Sequence, residues 1–132
     1  MPVYAEIITQ PAPQDAADLE ILYPNDSEKL LANAVSGKLI IYGGRFNGRL
    51  LSAFTLTPIY GGDYQIARLS VREVTRRRGV ARQLIIQAMK QLPDNLSSIS
   101  ADLRNAPELI NLFAELGFQA NNNLWCWQRG SK

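Results

Sequence analysis

The junction at residues 66–82 constrains this chain more than any other stretch. There an alternating apolar run gives way, through clustered arginines and one glycine, to a helical period. Ile66, Ala67, Leu69 and Val71 read as a strand ending near Arg72. Val80, Ala81, Leu84, Ile85, Ala88 and Met89 then recur at helical spacing, in a helix expected to continue to Pro93. The first amides of a helix lack intrahelical acceptors and carry the positive end of its dipole. Gly79, at the helix start, has no Cβ to hold an anion away from those amides. The guanidinium groups of Arg76, Arg77, Arg78 and Arg82 add forked donors suited to phosphate. The expectation is a turn that holds a pyrophosphate. A solvated basic turn capping an ordinary helix is the plainer reading, but it does not explain why strand, turn, glycine and helix fall in this order.

Composition bounds the rest. At 132 residues the chain has the length of one domain, residues 1–132, with a core large enough to need no metal or disulfide. Its net charge of +2 excludes global polyelectrolyte character, so the positive charge is local, from Arg72 to Arg82. The single cysteine, Cys126, rules out an internal disulfide and fits a reducing compartment. With no histidine, a Cys/His zinc site, a Ser-His-Asp triad and a histidine base are all impossible, and no metal site is expected. No run approaches the roughly 18 apolar residues of a membrane span, and the N-terminus does not read as a signal peptide. A cytoplasmic protein without membrane contact is the expectation.

In chain order, residues 1–10 alternate weakly (Val3, Ala5, Ile7) as a first, edge strand. Asp15 is placed to cap a short helix carrying Leu19, Ile21 and Leu22, which stops before Pro24. Asp26 or Ser27 begins a second helix, with Gly37 as its stop. Neither helix shows polar residues arranged for chemistry. Strands follow at 39–42 and 50–56, joined by Asn47-Gly48, a pair suited to a type I′ hairpin because both central positions need positive φ. Pro58 and Gly61-Gly62 should end the second of these and turn into the strand that leads to the arginines. Beyond the central helix, 97–103 reads as a strand with Ile99, Ala101 and Leu103 on one side. Asn105 should cap a last helix, with Pro107 in its first turn and a stripe of Leu109, Leu112, Phe113 and Leu116. Gly117-Phe118 reads as a Schellman ending, and the tail with Leu124, Trp125 and Trp127 as one or two closing strands.

Arg76-x-x-Gly79-x-Ala81 after a strand resembles the Q/R-x-x-G-x-G/A element of the GCN5-related N-acetyltransferase (GNAT) superfamily, which holds the pyrophosphate of coenzyme A. The order of elements is that superfamily's order. Asn105-Ala106 with Leu116-Gly117-Phe118 resembles its second motif. The resemblance implies an α/β fold, with a GNAT-type mixed, mostly antiparallel central sheet flanked by helices in a single domain. One departure matters. The tyrosine four positions before that glycine, the superfamily's frequent general acid, is Phe113 here, which has no proton to give. A base is also hard to find. Residues 65–71 contain no carboxylate, Glu73 lies among arginines and Asp63 lies at a turn. No catalytic residue is assigned.

Arg45-Phe46-Asn47, Arg49-Leu50-Leu51 and the string from Val71 to Val80 are similar to a narrower family, the aspartate 1-decarboxylase maturation factors of the PanZ/PanM type. That resemblance implies a protein that binds coenzyme A or acetyl-CoA and associates with aspartate 1-decarboxylase, as proenzyme and as mature enzyme. It promotes the proenzyme's self-cleavage to the pyruvoyl form and gives feedback control of β-alanine and pantothenate synthesis. Little or no acetyl transfer is expected. Carried over by position, the ligand site comprises Leu69, Ser70, Val71, Thr75, Arg76, Arg77, Arg78, Gly79, Val80, Ala81 and Arg82. Partner contacts fall on Arg45 and Asn47, although turn geometry alone would also explain Asn47 beside Gly48. Two other classes stay open on the sequence. A true N-acetyltransferase acting on an amine would use the same ligand site. A nucleic-acid binder would use the arginines with Trp125 and Trp127, but those tryptophans alternate with apolar neighbours as core residues do, so no nucleic acid is expected.

Overall fold

A strand whose successive residues are buried must be covered on both faces of its sheet, and two strands of this chain are of that kind. The computed structural model describes residues 2–73 and 79–130. In it, β2 (Ile40–Phe46) and β3 (Arg49–Tyr60) send alternate residues into two separate cores. Tyr42, Phe54 and Leu56 join one core with Leu84, Ile85 and Ala88 of α3 (Val80–Ala88) and Phe113 of α4 (Ile110–Glu115). Ile41, Leu50 and Ala53 join the other with Leu19 and Leu22 of α1 (Pro13–Leu22), against which Leu30 and Leu31 of α2 (Ser27–Val35) pack. Tyr42 and Phe54 are register partners and stack, with centroids 5.0 Å apart and planes 14° from parallel. Truncating Phe54 to alanine would cost about 3–5 kcal/mol.

The remaining strands are β1 (Tyr4–Ile7), β4 (Asp63–Val71), β5 (Ser98–Ala101), β6 (Gln119–Asn121) and β7 (Leu124–Gln128). All seven form one sheet in the order β1-β2-β3-β4-β5-β7-β6. Every pairing is antiparallel except β4 with β5, which the α3 crossover makes parallel. The α/β class, mixed sheet and element order match the sequence reading. Asn47 and Gly48 both take positive φ, 50° and 79°, as the hairpin between β2 and β3 requires. Gly117, at φ 99°, ends α4 in a Schellman motif: Phe118 N–H donates to the Phe113 carbonyl at 3.0 Å and Gly117 N–H to that of Ala114. Phe118 then folds back edge-on against Phe113, 4.9 Å between centroids.

Several local expectations need correction. The cap of α1 is Ala12, followed by Pro13; Asp15 lies inside the first turn. Asn105 is not a cap either, since the approach to α4 is a 3-10 turn at Pro107–Leu109 whose preceding residue is Ala106. The central helix ends at Ala88, short of Pro93. On β1 it is Ile7 that points outward, while Val3 and Ile8, flanking the strand, are buried. The strand β3 runs through Pro58 to Tyr60. Its ladder with β2 stops at Leu56, so Pro58 sits where β3 is the edge of the sheet and a missing N–H disrupts nothing on that side.

Candidate ligand-binding cleft

The strand β4 is not regular, and its irregularity opens the site. Ala53 pairs with Ser70 and Thr55 with Ala67, so Phe54 alone faces two residues, Arg68 and Leu69. Arg68 takes φ 59°, costly for a residue with a Cβ. This is a β-bulge, which bends its strand away from its neighbours. On the other edge, the β4–β5 ladder ends at Ile66 and Ala101. Past that point the two strands diverge, and a cleft occupies the gap.

The cleft comprises two adjoining cavities that share three lining residues, an outer part and an inner part. The outer part, about 650 Å³, is lined by Leu69, Ser70, Val71, Gly79, Val80, Ala81 and Arg82 on one side, with Ala106, Glu108 and Leu109 facing them. The inner part, about 210 Å³, shares Leu69, Ala106 and Leu109 and reaches Ala101, Asp102, Leu103 and Phe113. Seven residues singled out from the sequence are thus brought together around one cavity. Thr75, Arg76, Arg77 and Arg78 lie outside the described residues. The opposite wall escaped the residue-level reading, although Asn105-Ala106 was a trace of it. Among the described residues, no group of three His, Cys, Asp or Glu side chains is placed to hold a metal, and no helix is long and apolar enough to cross a membrane.

Gly79 is the N-cap of α3, in the left-handed region at φ 74°, with no side-chain cap bond to the helix. Among the described residues, a Cβ added there would meet nothing within 4 Å, so none of them fills the space beside the first turn of α3. An anion can therefore approach the N-terminal amides of a nine-residue helix whose first turn has no acidic residue. The chemistry and space of this wall fit a diphosphate. Val80 is a buried anchor at 1% exposure, fixing the helix end against Val3 and Leu51. Arg82, on the lining of the outer part, forms an exposed ion pair with Glu115 of α4, which joins the two helices.

The bulge is held from the other face of the sheet. The Tyr23 hydroxyl donates to the Arg68 carbonyl at 2.6 Å, and the Ser70 hydroxyl to that of Leu22 at 2.9 Å. The Arg68 guanidinium pairs with Asp26 at 2.7 Å and lies over the Tyr23 ring. Burial raises the Tyr23 phenol far above its ordinary range, so it stays a donor. With its hydroxyl turned to α1, Ser70 offers the cleft only backbone. Asp102, on the inner part, is bound by Arg104 through its side chain and then its backbone N–H, which hold the carboxyl down at about 2.

A second cluster surrounds the β2–β3 hairpin, and here the sequence reading missed the essential groups. Asp15 and Asp18, on what read as a purely structural helix, face the hairpin's stems. Arg45 donates to Glu6 at 2.7 and 3.2 Å, to Asp15 at 3.0 and 3.1 Å and to the Gly48 carbonyl at 3.0 Å. Asp18, with no exposed surface, accepts from Arg49 at 2.6 Å, from the Leu50 N–H at 3.0 Å and from Gln14 at 3.1 Å. Acidic residues at i and i+3 on a helix were the visible signal, since that spacing puts both on one face.

Comparison with known proteins gives the arrangement its family. Residues 2–126 match the family described as "Acetyltransferase (GNAT) domain, PanZ". Proteins named PanD regulatory factor from Salmonella typhimurium and Escherichia coli are each 34% identical over 85% of this chain and 87% of their own. Among solved structures, Escherichia coli YhhK bound to coenzyme A superposes with a TM-score of 0.75 at 29% identity, over 97% of this chain and 99% of that one. A GNAT-family acetyltransferase from Elizabethkingia anophelis, with acetyl-CoA bound, gives a TM-score of 0.72 over 96% of this chain and 98% of that one; at 13% identity it shows the fold alone. On the match over residues 2–126 and the two relatives at 34% identity, the chain belongs to the PanZ family of GNAT acetyltransferase domains.

Proposed function

We propose that this protein is a coenzyme A-responsive regulator of aspartate 1-decarboxylase, acting in the cytoplasm. It promotes the proenzyme's self-cleavage to the pyruvoyl form and restrains β-alanine and pantothenate synthesis when acetyl-CoA is plentiful. The observation that carries this reading is the cleft running from the open N-terminus of α3 to Phe113, in a chain whose relatives at 34% identity are named PanD regulatory factor.

In this reading the first amides of α3 and Gly79 receive the diphosphate of coenzyme A or acetyl-CoA. The arginines at 76, 77, 78 and 82, with Thr75, supply charge and hydrogen bonds to the phosphates. The backbone of Leu69, Ser70 and Val71 pairs with the pantetheine amides, and Val80 and Ala81 keep the helix end close. The ligand supplies no chemistry to the partner's bond rearrangement; it serves as the signal. The partner face is the hairpin bearing Arg45 and Asn47. Binding there favours the strained backbone geometry that an N-to-O acyl shift in the proenzyme requires. Control follows only if the ligand-bound form has greater affinity for the partner, and by linkage the partner then tightens ligand binding equally.

The direct test mixes the purified protein with unprocessed aspartate decarboxylase, with and without acetyl-CoA, and follows cleavage by gel. Cleavage accelerated only when both are present is expected. Cleavage at the unassisted rate in every lane refutes the reading.

A further inference from the structure

The partner hairpin raises a problem of charge. A guanidinium has five N–H donors, and in Arg45 all five are engaged within the chain, by Glu6, Asp15 and the Gly48 carbonyl. To bind a partner directly, Arg45 would have to leave Asp15, itself only 8% exposed, with its charge uncompensated. The neighbouring stem is held in the same way, by Arg49 and the Leu50 N–H on the fully buried Asp18. Three carboxylates thus surround two guanidiniums, and the tip carries no surplus positive charge.

We infer that Asp15 and Asp18 are positioning residues for the hairpin, and that the tip meets its partner through Asn47 and main-chain groups, with Arg45 as an internal strut. This rests on the functional reading above. The partner chemistry that fits is a neutral peptide segment offering amide donors and acceptors, because a carboxylate would face the Glu6 and Asp15 charges. The reasoning is geometric. Asp15 grips the end of β2 through Arg45, and Asp18 grips the start of β3 through Arg49 and Leu50. The two acidic residues lie one helical turn apart on α1, so a single rigid helix fixes both stems. The two-residue turn between them, with both φ positive, then has one orientation.

The two roles for Arg45 predict opposite results for Asp15→Ala. As a strut, Arg45 loses its anchor, and affinity for the decarboxylase proenzyme at saturating acetyl-CoA falls about tenfold, as it does for Arg45→Ala, while coenzyme A affinity stays within about twofold. The double variant should then lose little more than either single one, because both act through one network. As a direct contact, Arg45 would be freed by Asp15→Ala, and proenzyme affinity would hold or rise while Arg45→Ala still weakened it. That pattern overturns the inference. A second arm needs no partner: hydrogen exchange of the amides at 45–50 in Asp15→Ala and Asp18→Asn, referenced to the amides of α3. Selective acceleration at the hairpin is expected, and unchanged exchange there refutes the positioning role. If wild-type protein does not bind the proenzyme, the functional reading fails, and the exchange arm still decides whether α1 sets the hairpin.

Discussion

Replacing Asp18 probes a fully buried carboxylate that ties α1 to the start of β3. Its carboxylate has no exposed surface, yet accepts hydrogen bonds from Arg49, the Leu50 N–H and Gln14. Asp18→Ala leaves the Leu50 amide buried without an acceptor, which alone costs about 1–3 kcal/mol. Arg49 adds less than a buried partner would, because its side chain is 44% exposed and turns to water. A total near 3 kcal/mol follows for alanine, and about 1 kcal/mol for Asp18→Asn, which keeps an acceptor for Leu50. For a domain of this size that is a drop in Tm of about 12 °C and about 4 °C respectively. The Arg49 hydrogen bonds hold the Asp18 carboxyl below its ordinary value of 3.8, against the opposing effect of burial, and Leu50 and Gln14 lower it further. A carboxyl with a depressed folded pKa contributes stability that is present above its unfolded pKa and lost as pH falls through the folded one. Urea melts of wild type and Asp18→Asn should therefore converge as pH drops from about 5 toward 2. A stability gap that is constant with pH, or a loss for Asp18→Ala below about 0.5 kcal/mol, refutes the reasoning.

Two predictions concern the cleft. Gly79→Ala should cost roughly 1 kcal/mol of stability from positive φ, since its Cβ meets none of the described residues, and Gly79→Glu should in addition weaken coenzyme A binding by setting a carboxylate against the diphosphate; equal calorimetric affinities for wild type and Gly79→Glu would remove the cleft from consideration. Phe113→Tyr should give no useful acetyl transfer, because the ring is 2% exposed and Asp102, the one carboxylate among the described residues lining that cavity, is tied up by Arg104; thiol release near 1 s⁻¹ with a defined amine, in wild type or variant, would contradict this.

What was legible in the sequence was mostly local backbone chemistry. Asn47-Gly48 and Gly117-Phe118 specify their turns within a few residues, and the structure forms both as read. The strand-to-helix junction was legible because the apolar period changes across it. Even the bulge left a trace, since Ile66 and Leu69 are three apart where strict alternation gives two. What could not be read depends on distant parts of the chain. Asp18 meets Arg49 across 31 positions, and no local pattern joins a helical aspartate to a strand arginine. The far wall of the cleft is likewise brought in by the fold. Pro58 misled for the same reason: whether a proline ends a strand depends on where the neighbouring strand stops, which only the assembled register decides.

The cleft walls also bear on why such a site would sense a ligand instead of consuming it. Among the described lining residues the carboxylates are Asp102 and Glu108. Glu108 lies in the outer part with Gly79, which in the proposed binding mode is the phosphate side, away from the acyl end. Asp102 does reach the inner part, but Arg104 holds its carboxyl down at about 2 and engages both of its oxygens. Phe113 closes that end with a buried ring and has no proton for a departing thiolate. Efficient transfer needs proton acceptance on one side of the acyl carbon and donation on the other, and the described walls provide neither. On the proposed regulatory reading a bound thioester persists unreacted, and occupancy of the cleft follows the concentration of the ligand and not the supply of an amine. That is the property a feedback sensor requires.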